Sequence, residues 1–117
     1  MTSSNPLLRS AAVMLERASK SKKAPIWLRA SKMLAAPGSL MVEVNVGRIS
    51  RVAESGAVLF VPRKVLGSGL LDKKVVVGAF SFSAAAMRKI ADKGGSTMTV
   101  EEFLKEYPDG SGVKLVQ

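Results

Sequence analysis

This 117-residue chain contains no cysteine and no histidine. Without cysteine there is no disulfide, no thiolate nucleophile and no iron–sulfur ligation. Without histidine there is no Ser-His-Asp triad, no imidazole on a haem and no ordinary zinc site. Catalysis would be left to carboxylate, lysine, serine or tyrosine chemistry, and carboxylates are scarce: 9 Asp and Glu stand against 18 Lys and Arg. The one adjacent pair, Glu101-Glu102, comes just after a helix-capping threonine, where first-turn acids complement the helix dipole. These absences exclude most enzyme classes, and no metal or cofactor site is expected. Long apolar runs are lacking too. The most continuous, Ala57–Val61 and Val75–Phe80, are strand-sized and fall far below the ~18 residues of a membrane span. The start, Met1–Asn5, has no basic flank, and Arg9 and Glu16 interrupt the apolar stretch after it, so no signal peptide is expected. A soluble, intracellular chain is the expectation.

What is present is charge of one sign. The chain carries a net +9 with 47% hydrophobic residues, apolar enough for a core and long enough for one domain. The charge is graded along the chain. Residues 1–40 hold seven basic groups and one acid, residues 41–80 six and three, and residues 81–117 five of each. The first two thirds therefore carry the polyanion-facing surface, with nucleic acid the first partner class and an anionic membrane the second. The candidate contacts in the first third are Arg9, Lys20, Lys22, Lys23, Arg29 and Lys32.

Local patterns place these residues. Asn5-Pro6 reads as a cap and first helical residue, and Leu7, Leu8, Ala11, Ala12, Leu15 and Ala18 recur at helical spacing. Ser19–Lys23 forms a basic connector. A second helix is predicted from Pro25, with Ile26, Ala30, Met33 and Leu34 on one face, Arg29 and Lys32 on the other, and Pro37-Gly38 as its stop. Trp27 fits a core anchor better than a base-stacking platform. A short strand over Met41–Val44 leads to Asn45, the cap of a helix over Val46–Glu54 that buries Val46, Ile49 and Ala53 and leaves Arg48 and Arg51 outside. The runs at 57–61 and 75–80 read as strands covered on both faces. Ser83 caps a helix over Ala84–Lys93 stopped by Gly94-Gly95, Thr99–Glu102 is a capping box opening Val100–Tyr107, and Val113–Val116 is a last strand. Short strands alternating with short helices define an α/β class. The organisation reads as a basic N-terminal helical extension, 1–40, and an α/β core, 41–117.

Between the two apolar strands, Pro62–Lys74 reads as a 13-residue connection, long for a compact domain. It carries Arg63, Lys64, Lys73 and Lys74 around Gly67-Ser68-Gly69. Positive φ at the glycines would expose backbone N–H groups to a phosphate, and a structural tight turn explains them equally well. Val65, Leu66, Leu70 and Leu71 are expected to pin the segment to the core. Asp72 stands where a dinucleotide fingerprint needs its third glycine, and no Walker Gly-Lys-Ser/Thr is present.

The segments Glu43–Arg51, Lys64–Gly69, Phe82-Ser83, Gly94-Gly95 and Pro108–Gly112 occur in this order. Together with Asn5-Pro6-Leu7 and the Trp27 helix, they closely resemble the archaeal and eukaryotic large-subunit ribosomal proteins of the eighteen-e family, which share a core with bacterial large-subunit protein fifteen. Two positions depart from that pattern: Arg63 where a glycine is expected, and Gly38–Met41 where basic residues are expected. The resemblance implies a single compact α/β domain of irregular strand-strand-helix turns preceded by a helical segment. It also implies a structural, non-enzymatic role in the large ribosomal subunit of the cytoplasm, with large-subunit rRNA and neighbouring ribosomal proteins as partners and neither a membrane nor a small-molecule substrate. A freestanding RNA- or DNA-binding regulator is the alternative. It calls for a helix-turn-helix or an aromatic stacking surface, and the six aromatics lie mostly in apolar strand or helix contexts instead.

Overall fold

A computed structural model describes residues 5–117, so the reading of Met1–Ser4 lies outside the described residues. Asn5 caps α1 (Pro6–Ser21), its Oδ1 accepting from the N–H groups of Leu7 and Leu8. Leu8, Ala11, Ala12 and Leu15 are buried, whereas Leu7, expected on the same face, is 73% exposed. Helix α2 (Pro25–Ala35) buries Trp27, Ala30, Ser31 and Leu34. Its inner face is thus turned one residue from the expected one, with Ile26 and Met33 at the margin. The turn arises because Trp27 is the largest group available and fills the centre, while Ser31 Oγ donates to the Ala12 carbonyl across the helix pair.

The chain then passes through a 3₁₀ turn (Ser39–Met41) into β1 (Glu43–Asn45), shifted from the expected 41–44, and α3 (Val46–Val52), capped by Asn45. Strand β2 spans Val58–Leu66, β3 Val76–Phe82, α4 Ala84–Asp92, β4 Ser96–Met98, α5 Val100–Glu106 and β5 Val113–Leu115. Strand β4, between Gly95 and the Thr99 cap, has no counterpart in the pattern reading. All strand pairs are parallel, in the order β1-β2-β3-β4. Strand β5 pairs with Val58–Phe60 on the same edge of β2 whose far end pairs with β1.

Two cores sandwich the sheet. On one face α3 and α4 pack Val46, Ile49, Ala86 and Ile90 against Leu59, Val61, Val65 and Val77. On the other, α1, α2 and α5 pack Leu15, Trp27, Leu34 and Phe103 around Phe60. Burial on both faces is why β2 and β3 are nearly continuous apolar runs rather than alternating ones. Trp27 stands edge-on to Phe60 (5.3 Å between ring centres) and to Phe103 (5.9 Å), and its Nε1–H donates to the Pro108 carbonyl at 2.9 Å. No helix among the described residues is long and apolar enough to cross a membrane.

The expected loop after Val61 is a strand instead. Strand β2 runs through Pro62 to Leu66, with a register irregularity against β3 between Val61 and Lys64. Such an irregularity accommodates a proline that cannot donate to the ladder. The true connection, 67–75, crosses from β2 to the parallel β3 without a helix, pinned by buried Leu71 and Val75 while Leu70 is 78% exposed. Gly67 is needed for a reason other than positive φ, which Gly69 adopts instead (+91°). A Cβ on Gly67 would lie 2.5 Å from Ala85 Cβ and 2.8 Å from Ala86 N, because the start of α4 rests directly on it.

Gly67→Ala and Gly67→Asn should therefore both destabilise the protein, by about 1–3 kcal/mol as overpacking does. Gly56 supplies the contrast, with φ +87° and no atom within 4 Å of the place a Cβ would take. Gly56→Asn should be nearly neutral, since asparagine tolerates the left-handed region. Thermal melts of the three variants check this. Trp27→Phe, which keeps an aromatic ring but strands the Pro108 carbonyl, should cost about 1–3 kcal/mol in denaturant titration.

Candidate nucleic-acid interface

The basic residues fall into two groups. The first lies on the α1–α2 pair, where Arg9, Lys20, Lys22, Lys23, Arg29 and Lys32 are all exposed, opposite the buried stripes that hold the helices to the sheet. Lys20 reaches Glu16 at 4.0 Å, the only ion pair among the described residues. Both partners are well solvated, so the pair adds little. The connector has a defined shape. Lys22 caps α1 by donating to the Ala18 carbonyl, and the Ala24 N–H reaches back to the Ser19 carbonyl. Lys23 between them has φ +51°, the single non-glycine residue with positive φ among those described. This is a Schellman-type helix end with a lysine where glycine is usual. Buried Ala24 supplies the apolar contact that closes it.

The second group surrounds the carboxyl ends of β1 and β2. An open cleft of about 470 Å³ is lined by Asn45, Gly47, Ser50, Arg51, Gly69, Leu70, Asp72 and Lys73. Here the glycine turn meets the start of α3. A Cβ on Gly69 would fall 2.7 Å from Gly47 Cα, and the Gly47 N–H donates to the Ser68 carbonyl at 3.2 Å. Arg48 and Arg51 project from α3 beside this contact, both exposed.

Several expected contacts are engaged within the protein. Lys73 Nζ donates to the Ser50 and Ala53 carbonyls, and Lys114 Nζ to that of Val52 at 2.6 Å. Two ammonium groups thus sit on the unsatisfied carbonyls at the negative end of α3, where cations are favoured. Arg63 lies inside β2, half-buried, with a terminal NH donating to the Ser39 carbonyl at 3.0 Å and its Nε enclosed without a partner. Lys64, the next residue, is exposed. Consecutive strand residues point to opposite faces, so the two do not form the paired projection that a loop would have allowed. Arg48 Nε donates to the Gln117 carbonyl at 3.0 Å. Lys74 is exposed, near the opposite end of the sheet, its carbonyl accepting from Gly56.

Three participants escape the sequence reading. Lys89 of α4 donates to the Gly69 carbonyl at 2.8 Å and so braces the glycine turn. Gly47 gives that turn its close approach, and Lys114 shares the α3 cap. No local signal marks the two lysines, because their partners lie 20 and 62 residues away. Gly47 carries one weak sign, a glycine in the first turn of a helix where it lowers propensity. Asp72 accepts from Ser50 Oγ at 2.6 Å, and this bond, helped by its own backbone N–H and by Lys73, holds its carboxyl below the usual aspartate range.

Residues 43–98 match the family described as "Ribosomal proteins 50S-L15, 50S-L18e" and their 60S counterpart. Among curated proteins, the large ribosomal subunit protein eL18 of Archaeoglobus fulgidus is 45% identical over 116 residues, covering 99% of both chains. Those of Methanococcus maripaludis and Methanoregula boonei are 45% and 41% identical, each over 97% of this chain and 95% and 93% of their own. At this identity over nearly the whole length, with the β1–β4 segment inside the family match, the chain belongs to the eL18 family of large ribosomal subunit proteins.

Proposed function

We propose that this chain is a structural, non-catalytic constituent of the large ribosomal subunit, holding large-subunit rRNA with the exposed face of α1–α2 and with Arg48, Arg51, Lys64 and the Gly67–Gly69 turn. The observation that carries this reading is the surface of the α1–α2 pair itself: seven exposed cations, Arg17 among them, on a helix pair docked to the sheet, with one weak ion pair. Such a surface reads backbone and shape rather than base identity. Trp27, Phe60, Phe103 and Tyr107 are packed on one another inside the protein, which supports phosphate contact over base stacking. Arg63 and Lys73 act here from within, fixing the segments that carry the outer cations.

Native sedimentation tests the assignment. The chain should co-migrate with large subunits at physiological salt, and a freestanding regulator would run free. On an rRNA fragment, affinity should fall by about 0.7–0.9 log units per log unit of salt for each phosphate neutralised. Replacing Lys20, Lys22 and Lys23 with Ala should flatten that slope by about 2–3 and leave the melting temperature nearly unchanged. A triple variant with the parental slope would overturn this use of the face.

Lys23 allows a finer test. Its left-handed backbone opposes its own stability, so Lys23→Gly should stabilise the protein by about 0.5–1 kcal/mol. If the ammonium meets phosphate, the same variant binds rRNA more weakly. Melting and titration on one sample separate the two effects.

A further inference from the structure

Strand β4 covers only part of β3. Its residues Ser96–Met98 pair with Val76–Gly78, and the chain then leaves the sheet at Thr99 to begin α5. Strand β3 continues to Phe82, so beyond fully buried Ala79 the partly exposed residues Phe80–Phe82 have, among the described residues, β2 on one side and no strand on the other. An unpaired edge of this kind is a template for one more strand. Two cavities open beside it. One, about 280 Å³, lies between α1 and the start of α5, with Leu7 and Met14 on its wall. The other, about 410 Å³, lies towards α4, with Met87 and Met98 on its wall. Phe80 and Ser81 line both, so the two form one trough with the free edge along its floor. Leu7 is 73% and Met87 48% exposed here.

The charge of the trough is opposite to that of the molecule. Its walls carry Glu101 and Glu102 and no Lys or Arg, on a chain with twice as many basic as acidic residues. Carboxylates beside apolar walls repel phosphate, which sets this surface apart from the rRNA-facing ones. We propose that the trough receives an extended segment of a neighbouring protein, added as a strand along Phe80–Phe82, with apolar side chains at alternate positions and Lys or Arg beside Glu101 and Glu102. Main-chain bonds to the edge supply affinity and the two cavities supply side-chain selection, as in other strand additions. A helical partner would leave the edge amides and carbonyls unpaired. The inference rests on the large-subunit reading, which is where such a neighbour is presented.

The test places a photoreactive benzoylphenylalanine at Met87, an exposed position, and irradiates large subunits isolated by sedimentation. The expected result is a cross-link, identified by peptide mass spectrometry, to one contiguous stretch of another ribosomal protein with alternating apolar residues and flanking Lys or Arg. Adding Glu101→Lys should lower its yield about two- to fivefold, the scale of one exposed ion pair, without changing incorporation into the particle. A cross-link to rRNA, to a second copy or to the chain's own first residues overturns the inference, as does no cross-link in particles that contain the chain. A chain absent from the particles overturns the large-subunit reading, and this inference with it.

Discussion

On one face of the sheet, the helices α1, α2 and α5 are held by a core centred on the contact of Trp27 with Phe60 and Phe103. Phe60 lies in the first half of β2, the strand that neighbours β1, β3 and β5, and Trp27 and Phe103 bring α2 and α5 onto it. All three rings are fully buried. Edge-on aromatic pairs add about 0.5–1.5 kcal/mol each beyond the area they bury, and the indole N–H ties the cluster to the Pro108 turn that leads into β5. Helix α1 joins through α2. The placement of the basic helix pair thus depends on a buried apolar core in which Trp27, a residue with no charge and no exposure, is the largest member.

The cations divide by what they touch. Lys73, Lys114, Lys89 and Arg63 donate to backbone carbonyls within the fold, and exposed Arg48 gives its Nε–H to the Gln117 carbonyl. The carbonyls belong to segments with few backbone partners of their own: the end of α3, the glycine turn, the 3₁₀ turn before β1 and the last residue after β5. A basic composition therefore serves two ends here. Some of the charge closes irregular backbone that a small sheet with short helices cannot satisfy, and the remainder stays on the outside, almost without acids to neutralise it.

Helix starts are legible in this sequence because a cap is a local device. Asn5, Asn45, Ser83 and Thr99 each accept from an N–H two or three residues ahead, so side chain and consequence lie within one turn. The apolar runs of β2 and β3 are legible for a related reason, as burial on both faces removes alternation altogether. Beyond these, tertiary context prevails. Strand β4 is three residues long and partly exposed, and only its pairing to Val76–Gly78 makes it a strand. Pro62 argues for a loop, yet the register irregularity lets β2 continue past it. The α2 face turns by one residue because the site it fills has the shape of Trp27. Arg63 and Lys73 read as surface charges, and nothing near them in sequence shows that their partners are carbonyls 20–24 residues away.

The same short β4 that escapes a pattern reading also decides where the sheet stays open. Thr99 ends the strand because its hydroxyl and the Glu102 carboxylate close a capping box. Those bonds hold the Glu102 carboxyl below the usual glutamate range. Capping α5 thus does three things in one place: it stops β4, leaves Phe80–Phe82 without a neighbouring strand on that side, and sets an ionised carboxylate on the rim of the exposed edge. A sheet edge with apolar cavities beside it would ordinarily invite pairing with any chain. The carboxylates narrow that choice by repelling acidic strands and polyanions such as nucleic acid. Opposite charges on the two surfaces would let one small domain hold RNA on the proposed α1–α2 face without the RNA competing for the edge.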